Sequence, residues 1–292
     1  MDSVEHLSPY MFRYKSTIFA TREGLTLEDI HGFQHLEVRP TDICLCTFPK
    51  SGTMWMQEIL VQIVNAAYPN QVEDVSNRMR VPWLEGMSFN NVFRESHDPR
   101  MFRTHVFPDL LPKDVKAKKI KVVYVMRNPK DVLVSLYHFT QSWIQLESVK
   151  TFGDIFWDFL EDNAPGGSWF DHVLHFHREK DQMDIHFIKY EDMLMDLRGE
   201  VVKLCAFLGK DLTDEAIDHV VEMSTFKNMK TNPKANYKDL LEADKYRKPT
   251  MRKGEAGDWK NYFTVAQNEH FDKVFKERMG EFPLSFTWDL QQ

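Results

Sequence analysis

This sequence predicts an α/β fold, with a central parallel sheet flanked by helices, on three observations. Short apolar runs rich in β-branched residues recur along the chain. Each is followed by a turn and then by a stretch of helical periodicity, the order that builds parallel sheets. No Pro/Gly/Ser-rich linker, internal repeat or low-complexity segment interrupts it, so residues 1–292 read as one domain.

Asp42–Thr47 (DICLCT) reads as a short buried strand and Met54–Asn65 as the helix behind it. Met101–His105 is a short extended run. Lys121–Met126 (KVVYVM) is almost continuously apolar, as a parallel strand covered on both faces must be. Asn128-Pro129 turns the chain, with Pro near a helix start, and Asp131–Thr140 continues as helix. Asp184–Lys189 (DIHFIK) reads as a further strand, followed by the helix Gly199–Leu208 with Gly209 as its stop. The C-terminal part reads as helix and loop, with 259–269 the least regular in pattern.

Composition narrows the function. An apolar fraction of 42% and an aromatic fraction of 13% supply a sizeable core. A net charge of -7 argues against a nucleic-acid partner, which wants a basic surface. No run approaches the about 18 uncharged apolar residues of a spanning helix, so no membrane role is expected. The start, MDSVEHLSPYMFRYK, has no basic-then-apolar signal pattern. Three cysteines, Cys44, Cys46 and Cys205, form no disulfide framework, and free thiols with no address signal read as cytoplasmic. Cys44 and Cys46 fall on one strand face as packed thiols, and no Cys/His cluster completes a metal site.

The chemistry gathers at strand ends. DICLCT runs into Phe48-Pro49-Lys50-Ser51-Gly52-Thr53 and then a helix. Gly52 lets backbone approach an anion, helix-start amides point at the loop, and Lys50, Ser51 and Thr53 add a charge and two hydroxyls. That composes a phosphate or sulfate cradle at the usual ligand edge of a parallel sheet. The GxxxxGK spacing of a nucleotide-triphosphate loop is absent, and on this motif alone a plain surface turn is the alternative reading. After KVVYVM, Arg127 offers a bidentate contact to a second anion, with Ser135 two turns into the next helix. The bland alternative pairs Arg127 with Asp131 and packs Ser135 inside. Arg252-Lys253-Gly254 is a third basic piece, an anion clamp or a solvated turn.

The segments TFPKSGTMWMQEIL, KVVYVMRNPKDVLVSLYHF and MRKGEAGDWKNYFT resemble the three signature regions of the cytosolic sulfotransferases. GSWFDHV, KYEDM, EVVKLCAFLG and STFKNMKTNPKANY resemble that family too, seven segments in the family's order across about residues 33–285. The resemblance implies a P-loop-like phosphosulfate-binding loop and a donor, 3′-phosphoadenosine 5′-phosphosulfate (PAPS), leaving adenosine 3′,5′-bisphosphate (PAP), with no metal. By matching position it implies Lys50, Ser51, Gly52, Thr53 and Trp55 at the 5′-phosphosulfate end. It places Arg127, Ser135, Arg252, Lys253 and Gly254 at the 3′-phosphate, and Tyr190, Ser224, Phe226 and Met229 around the adenine. His105 matches the catalytic base, Lys50 the residue that neutralises charge on the transferring group, and Ser135 a restraint on that lysine. Without the resemblance, one of 12 histidines would read as packed or surface.

The expected reaction is transfer of a sulfuryl group to a hydroxyl or amine of a small, largely apolar acceptor. Trp83, Phe139, Tyr237 and Phe89 are the pocket candidates. Two departures stand out: Arg103 replaces a common Lys beside the base, and Met54 replaces a common Thr in the cradle. Pro82-Trp83-Leu84-Glu85 resembles the hydroxysteroid and amine branches more than the phenol branch. Glu85 is either a partner for a cationic amine or a helix-surface carboxylate. Residues 240–250 (LLEADKYRKPT) read as a polar cover over the site, mobile without ligand. Lys260, Thr264, Val265 and Glu269 match the family's short dimerisation motif, which implies a small closed two-fold contact in a homodimer, or else mark a helix start capped by Thr264. A P-loop kinase and a binding protein with little or no turnover are the rival readings. The acceptor is not legible.

Overall fold

The computed structural model describes residues 4–21, 25–86, 89–280 and 282–290, with backbone alone at 89–91. Four parallel strands form the central sheet. In chain order they follow three N-terminal strands: β1 (Val4–Ser8), β2 (Met11–Tyr14) and β3 (Thr17–Ala20), then β4 (Ile43–Thr47), β5 (Met101–Thr104), β6 (Lys121–Met126) and β7 (Asp184–Lys189). The parallel sheet has the order β5-β4-β6-β7, with Cys44 opposite both Phe102 and Val122, and Val122 opposite Ile185. The expected fold class is the one observed.

The apolar runs read as they do because both faces of the sheet are covered. Cys44, Cys46, Phe102, Val122 and Tyr124 face a cluster with Phe156, Trp169, Phe176 and Phe271. Their alternates, Ile43, Leu45, Val123 and Val125, face Met56, Ile59, Leu60 and Ile63 of the helix Thr53–Ala67 and Val201 and Leu204 of the helix Leu197–Leu208. Period-2 alternation splits one strand between two cores, so after Lys121 every residue of β6 is apolar and buried. The Cys44 and Cys46 sulfurs lie 3.4 Å apart on the first face, packed thiols as expected. Gly209 ends its helix at φ 64, in the left-handed region that suits glycine.

Helices begin earlier than their periodicity indicates, at Thr53, Pro129 and Leu197. The irregular 259–269 stretch resolves into a 3-10 turn, Asp258–Asn261, and the start of the helix Val265–Met279. The antiparallel β1-β2-β3 sheet was not expected. It docks on the main body: Gly166 N–H donates to the Ile18 carbonyl, and Phe107 N–H donates to the Thr17 hydroxyl. Among the described residues no helix is long and apolar enough to cross a membrane, and no His/Cys/Asp/Glu group has the arrangement to hold a metal ion.

Candidate functional site

All four parallel strands deliver a predicted residue to the same edge of the sheet. His105 follows β5, Lys50 lies just beyond β4, Arg127 follows β6 and Tyr190 follows β7. A cavity of about 300 Å³ opens there, lined by Lys50, Gly52, Thr53, Trp55, Trp83, His105, Arg127, Ser135, Phe139, Tyr190, Phe226, Met229, Tyr237, Arg252, Lys253 and Gly254. Ser51 and Ser224 stand behind this wall, fully buried, and each hydroxyl lacks a hydrogen-bond partner among the described residues. Phe89 begins the helix Phe89–Glu95, and its side chain lies outside the described residues.

The loop Phe48–Thr53 is shaped as an anion cradle. Lys50 (φ 69) and Gly52 (φ 111) both adopt left-handed backbone, so the chain turns sharply into the helix. A Cβ on Gly52 would lie 2.8 Å from Cδ2 of Tyr190, so only glycine fits. The helix has no side-chain N-cap and no acidic residue in its first turn. Its leading amides and the positive end of its dipole are therefore left for a ligand. Thr53 does not simply point its hydroxyl outward as a spare donor: it shares a 2.7 Å hydrogen bond with the Thr47 hydroxyl.

Positive charge is concentrated at this edge: Lys50, Arg127, Arg252 and Lys253 all line the cavity. Burial, with Arg127 and Arg252 nearby, pushes the Lys50 ammonium down to about 8. It rests 4.1 Å above the Phe139 ring, one turn beyond Ser135. Arg127 does not pair with Asp131. Its guanidinium lies 4.2 Å over the Tyr190 ring and donates to the carbonyls of Glu255 (3.0 Å) and Lys50 (3.4 Å), while its Nε has no partner among the described residues. Asp131 instead accepts from the amides of Gly257 (2.7 Å) and Trp259 (3.0 Å), which pins the C-terminal loop to the β6 edge. Arg252 and Lys253 both pair with Asp258, which their charges and hydrogen bonds hold down near 2 against the upward pull of burial. Trp55 donates to the Ser224 carbonyl at 2.8 Å and meets Tyr190 edge-on, which ties two of the predicted adenine residues together.

His105 is held from several sides. Its Nδ1 lies 2.7 Å from the Thr47 carbonyl and 3.0 Å from the Thr47 hydroxyl. A carbonyl only accepts, so Nδ1 carries the hydrogen and the basic lone pair of the neutral ring sits on Nε2. The backbone N–H of His105 donates to Glu85 at 2.8 Å, and the Thr104 hydroxyl donates to the same oxygen at 3.0 Å. Glu85 is thus no helix-surface carboxylate. It is buried in the turn beneath the base, because the Trp83–Arg103 bridge draws the segment against β5.

Trp83 meets His105 edge-on at 4.7 Å, with Phe139 and Tyr237 on the same cavity wall. Arg103 donates to the Val81 carbonyl at 2.5 Å and lies between the Trp83 and Tyr237 rings. Ile18, Phe19 and Leu25 from the N-terminal segment, and Trp143, complete the apolar wall and were not foreseen, while Tyr246 joins it from the expected cover. The 240–250 segment does reach the site: Arg247 N–H donates to the Ser142 carbonyl, and Tyr246 packs against Phe139. Of the dimerisation candidates, Thr264 caps the last helix and Val265 is 76% exposed. Lys260 pairs with Asp289, and Glu269 is exposed.

Residues 40–283 match the family described as the sulfotransferase domain. The chain is 39% identical over 285 residues to a rabbit (Oryctolagus cuniculus) amine sulfotransferase, covering 96% of this chain and 94% of that protein. It is 40% identical over 255 residues to a guinea pig (Cavia porcellus) 3-beta-hydroxysteroid sulfotransferase, covering 86% and 88%. A crystal structure of a mouse sulfotransferase complexed with PAP superposes with a TM-score of 0.76 at 29% identity, covering 94% of this chain and 95% of that one.

Proposed function

The chain belongs to the sulfotransferase family, and from that premise we propose that it moves a sulfuryl group from PAPS to a hydroxyl or amine of a small, largely apolar acceptor, with His105 as general base. The observation that carries this reading is the shared sheet edge. In the order β5-β4-β6-β7 it sets the base, the Lys50 cradle, Arg127 and the Tyr190 wall side by side. A donor with anionic groups at both ends of a nucleoside has that sequence of needs.

The residues fit such a ligand on their own terms. Two buried serine hydroxyls and the Arg127 Nε lack partners among the described residues, glycine alone fits the cradle, and Lys50, Arg127, Arg252 and Lys253 line one cavity. Lys50, Ser51, Gly52, Thr53 and Trp55 would hold the phosphosulfate end. Arg127, Ser135, Arg252, Lys253 and Gly254 would hold the 3′-phosphate, and Tyr190, Ser224, Phe226 and Met229 the adenine. When bound, PAPS supplies a sulfuryl group whose bond to the phosphate oxygen breaks as an acceptor oxygen or nitrogen bonds to sulfur. Thr47 keeps the His105 hydrogen on Nδ1, so Nε2 takes the acceptor proton. Lys50 offsets the charge that grows on the bridging oxygen. Ser135, one turn from the Phe139 ring beneath Lys50, restrains that ammonium between turnovers.

Trp83, Phe139 and Tyr237 would shape the acceptor end, and Glu85 below the base suits a cationic amine as well as a hydroxyl. The 240–250 segment acts as a cover that opens for the acceptor. We place the protein in the cytosol, a reading that its three free, buried cysteines support, and infer a homodimer through Lys260, Thr264, Val265 and Glu269 from the motif match. The test is incubation with labelled PAPS and a panel of hydroxysteroids, phenols and aryl or alkyl amines in excess chelator. Label should pass to at least one acceptor. Donor binding with no transfer to any would replace this reading with a binding protein, and an absolute need for magnesium would point to a kinase.

A further inference from the structure

His172 is fully buried and does not line the cavity, yet it touches the proposed base. It lies on the helix Trp169–Arg178, enclosed by the rings of Phe48, Phe107, Tyr124 and Phe176 at 5.0–5.7 Å between centroids. Its Nε2 is 3.2 Å from the backbone carbonyl of His105, and its Nδ1 is 2.8 Å from the Tyr124 hydroxyl. The carbonyl only accepts, so Nε2 carries the hydrogen and Nδ1 accepts from Tyr124. Burial, reinforced by His105 nearby, pushes this ring down to about 3, so it stays neutral wherever the protein is folded and active.

We propose that His172 is a positioning residue for catalysis: it donates to the His105 carbonyl, in a tautomer fixed by Tyr124, and so sets the orientation of the base. The proposal rests on the reading of His105 as general base. The geometry argues for it because His105 has three anchors on three different elements. Glu85 holds its N–H, Thr47 its ring and His172 its C=O. Two anchors leave the peptide after His105 able to turn about the ring and the N–H. The third removes that freedom, and a base displaced by about 1 Å loses about a hundredfold in rate. A purely structural role would require only the flat apolar shape of the ring, which phenylalanine supplies.

The experiment compares His172→Phe, His172→Gln, Tyr124→Phe and His105→Ala with the unaltered full-length chain. PAP affinity is read by calorimetry, and kcat and KM with labelled PAPS and whichever hydroxysteroid or aryl amine the unaltered chain sulfates. His172→Phe should lower kcat by about 10- to 100-fold with PAP affinity and donor KM within twofold. His172→Gln, whose amide Nε2 retains a donor at similar reach, should recover most of kcat, and Tyr124→Phe should lose about 3- to 10-fold. Unchanged kcat in His172→Phe, or equal losses in the Phe and Gln variants, overturns the proposal. If the Phe variant does not fold, unchanged kcat in Tyr124→Phe overturns it instead. Normal turnover in His105→Ala removes the underlying base reading, whereas an inactive His105→Ala beside a fully active His172→Phe removes only this inference.

Discussion

Raising the pH should loosen the product nucleotide through one lysine. Burial and the nearby Arg127 and Arg252 bring Lys50 from an ordinary 10.5 to about 8. A ligand that places anionic oxygens beside it reverses the repulsion and restores the ammonium. Between about pH 8 and 10.5 the free protein therefore lacks a proton that the complex holds, and binding takes one up. Affinity for PAP should fall by up to tenfold per pH unit over that window. A full restoration, about 2.5 units, makes the total about 300-fold, or ~3 kcal/mol. PAP itself changes little there, because its last phosphate ionisation lies near 6. The assay is calorimetry near pH 9 in two buffers of different ionisation enthalpy, where uptake should approach one proton. Lys50→Met should bind PAP weakly at pH 7 and show a flat profile above 8. An unchanged slope in Lys50→Met would refute the reasoning, as would no uptake in the unaltered protein. Without ligand the sign is opposite for stability. The unfolded chain binds the extra proton between about 8 and 10.5, so the cost of holding a charged Lys50 fades as pH rises through that range.

Two further perturbations follow from geometry. Gly52→Ala puts a Cβ against Tyr190 at φ 111, so the Tyr190 ring and the Arg127 above it must move. Thermal denaturation should report ~1–3 kcal/mol of lost stability, and PAP affinity should fall at least tenfold; an unchanged affinity would mean the cradle is not the donor site. Val265→Glu places a charge at a residue that is 76% exposed, which should convert a dimer to monomer in sedimentation velocity with kcat unchanged. A monomeric unaltered chain would remove the dimer proposal.

Much of this site was readable because the fold places it next to readable elements. Lys50 and Arg127 come at or just beyond the ends of apolar runs, His105 was legible only through the family resemblance, and a parallel sheet gathers its carboxyl ends by construction. The N-terminal sheet was not readable, because strands such as VEHLS mix charge with apolar residues over five positions and pair only locally. That sheet brings Ile18 and Phe19 to the acceptor wall, so part of the pocket was hidden with it. In the sequence Asp131 is a candidate partner of Arg127, Glu85 either an amine partner or a surface carboxylate, and Asp258 carries no reading. Their work lies in partners 126 residues away in the case of Asp131 and Gly257, and 20 residues away for Glu85 and His105, and no spacing rule reports such contacts. Glu191 is similar: burial raises it to about 7, and it accepts from the Asn128 amide at the head of the Pro129–Thr140 helix. Its place in KYEDM marked a motif without indicating that it supports the neighbouring strand end.

The central claim is that His105 removes the acceptor proton while the donor is held by other residues. Single-turnover transfer of labelled sulfuryl from saturating PAPS by His105→Ala, measured beside its PAP affinity, tests it most directly. With the base removed, the rate should fall at least about a hundredfold below that of the unaltered chain, within the usual range for loss of a general base, with PAP affinity within twofold. A His105→Ala variant that transfers at the normal rate would contradict it.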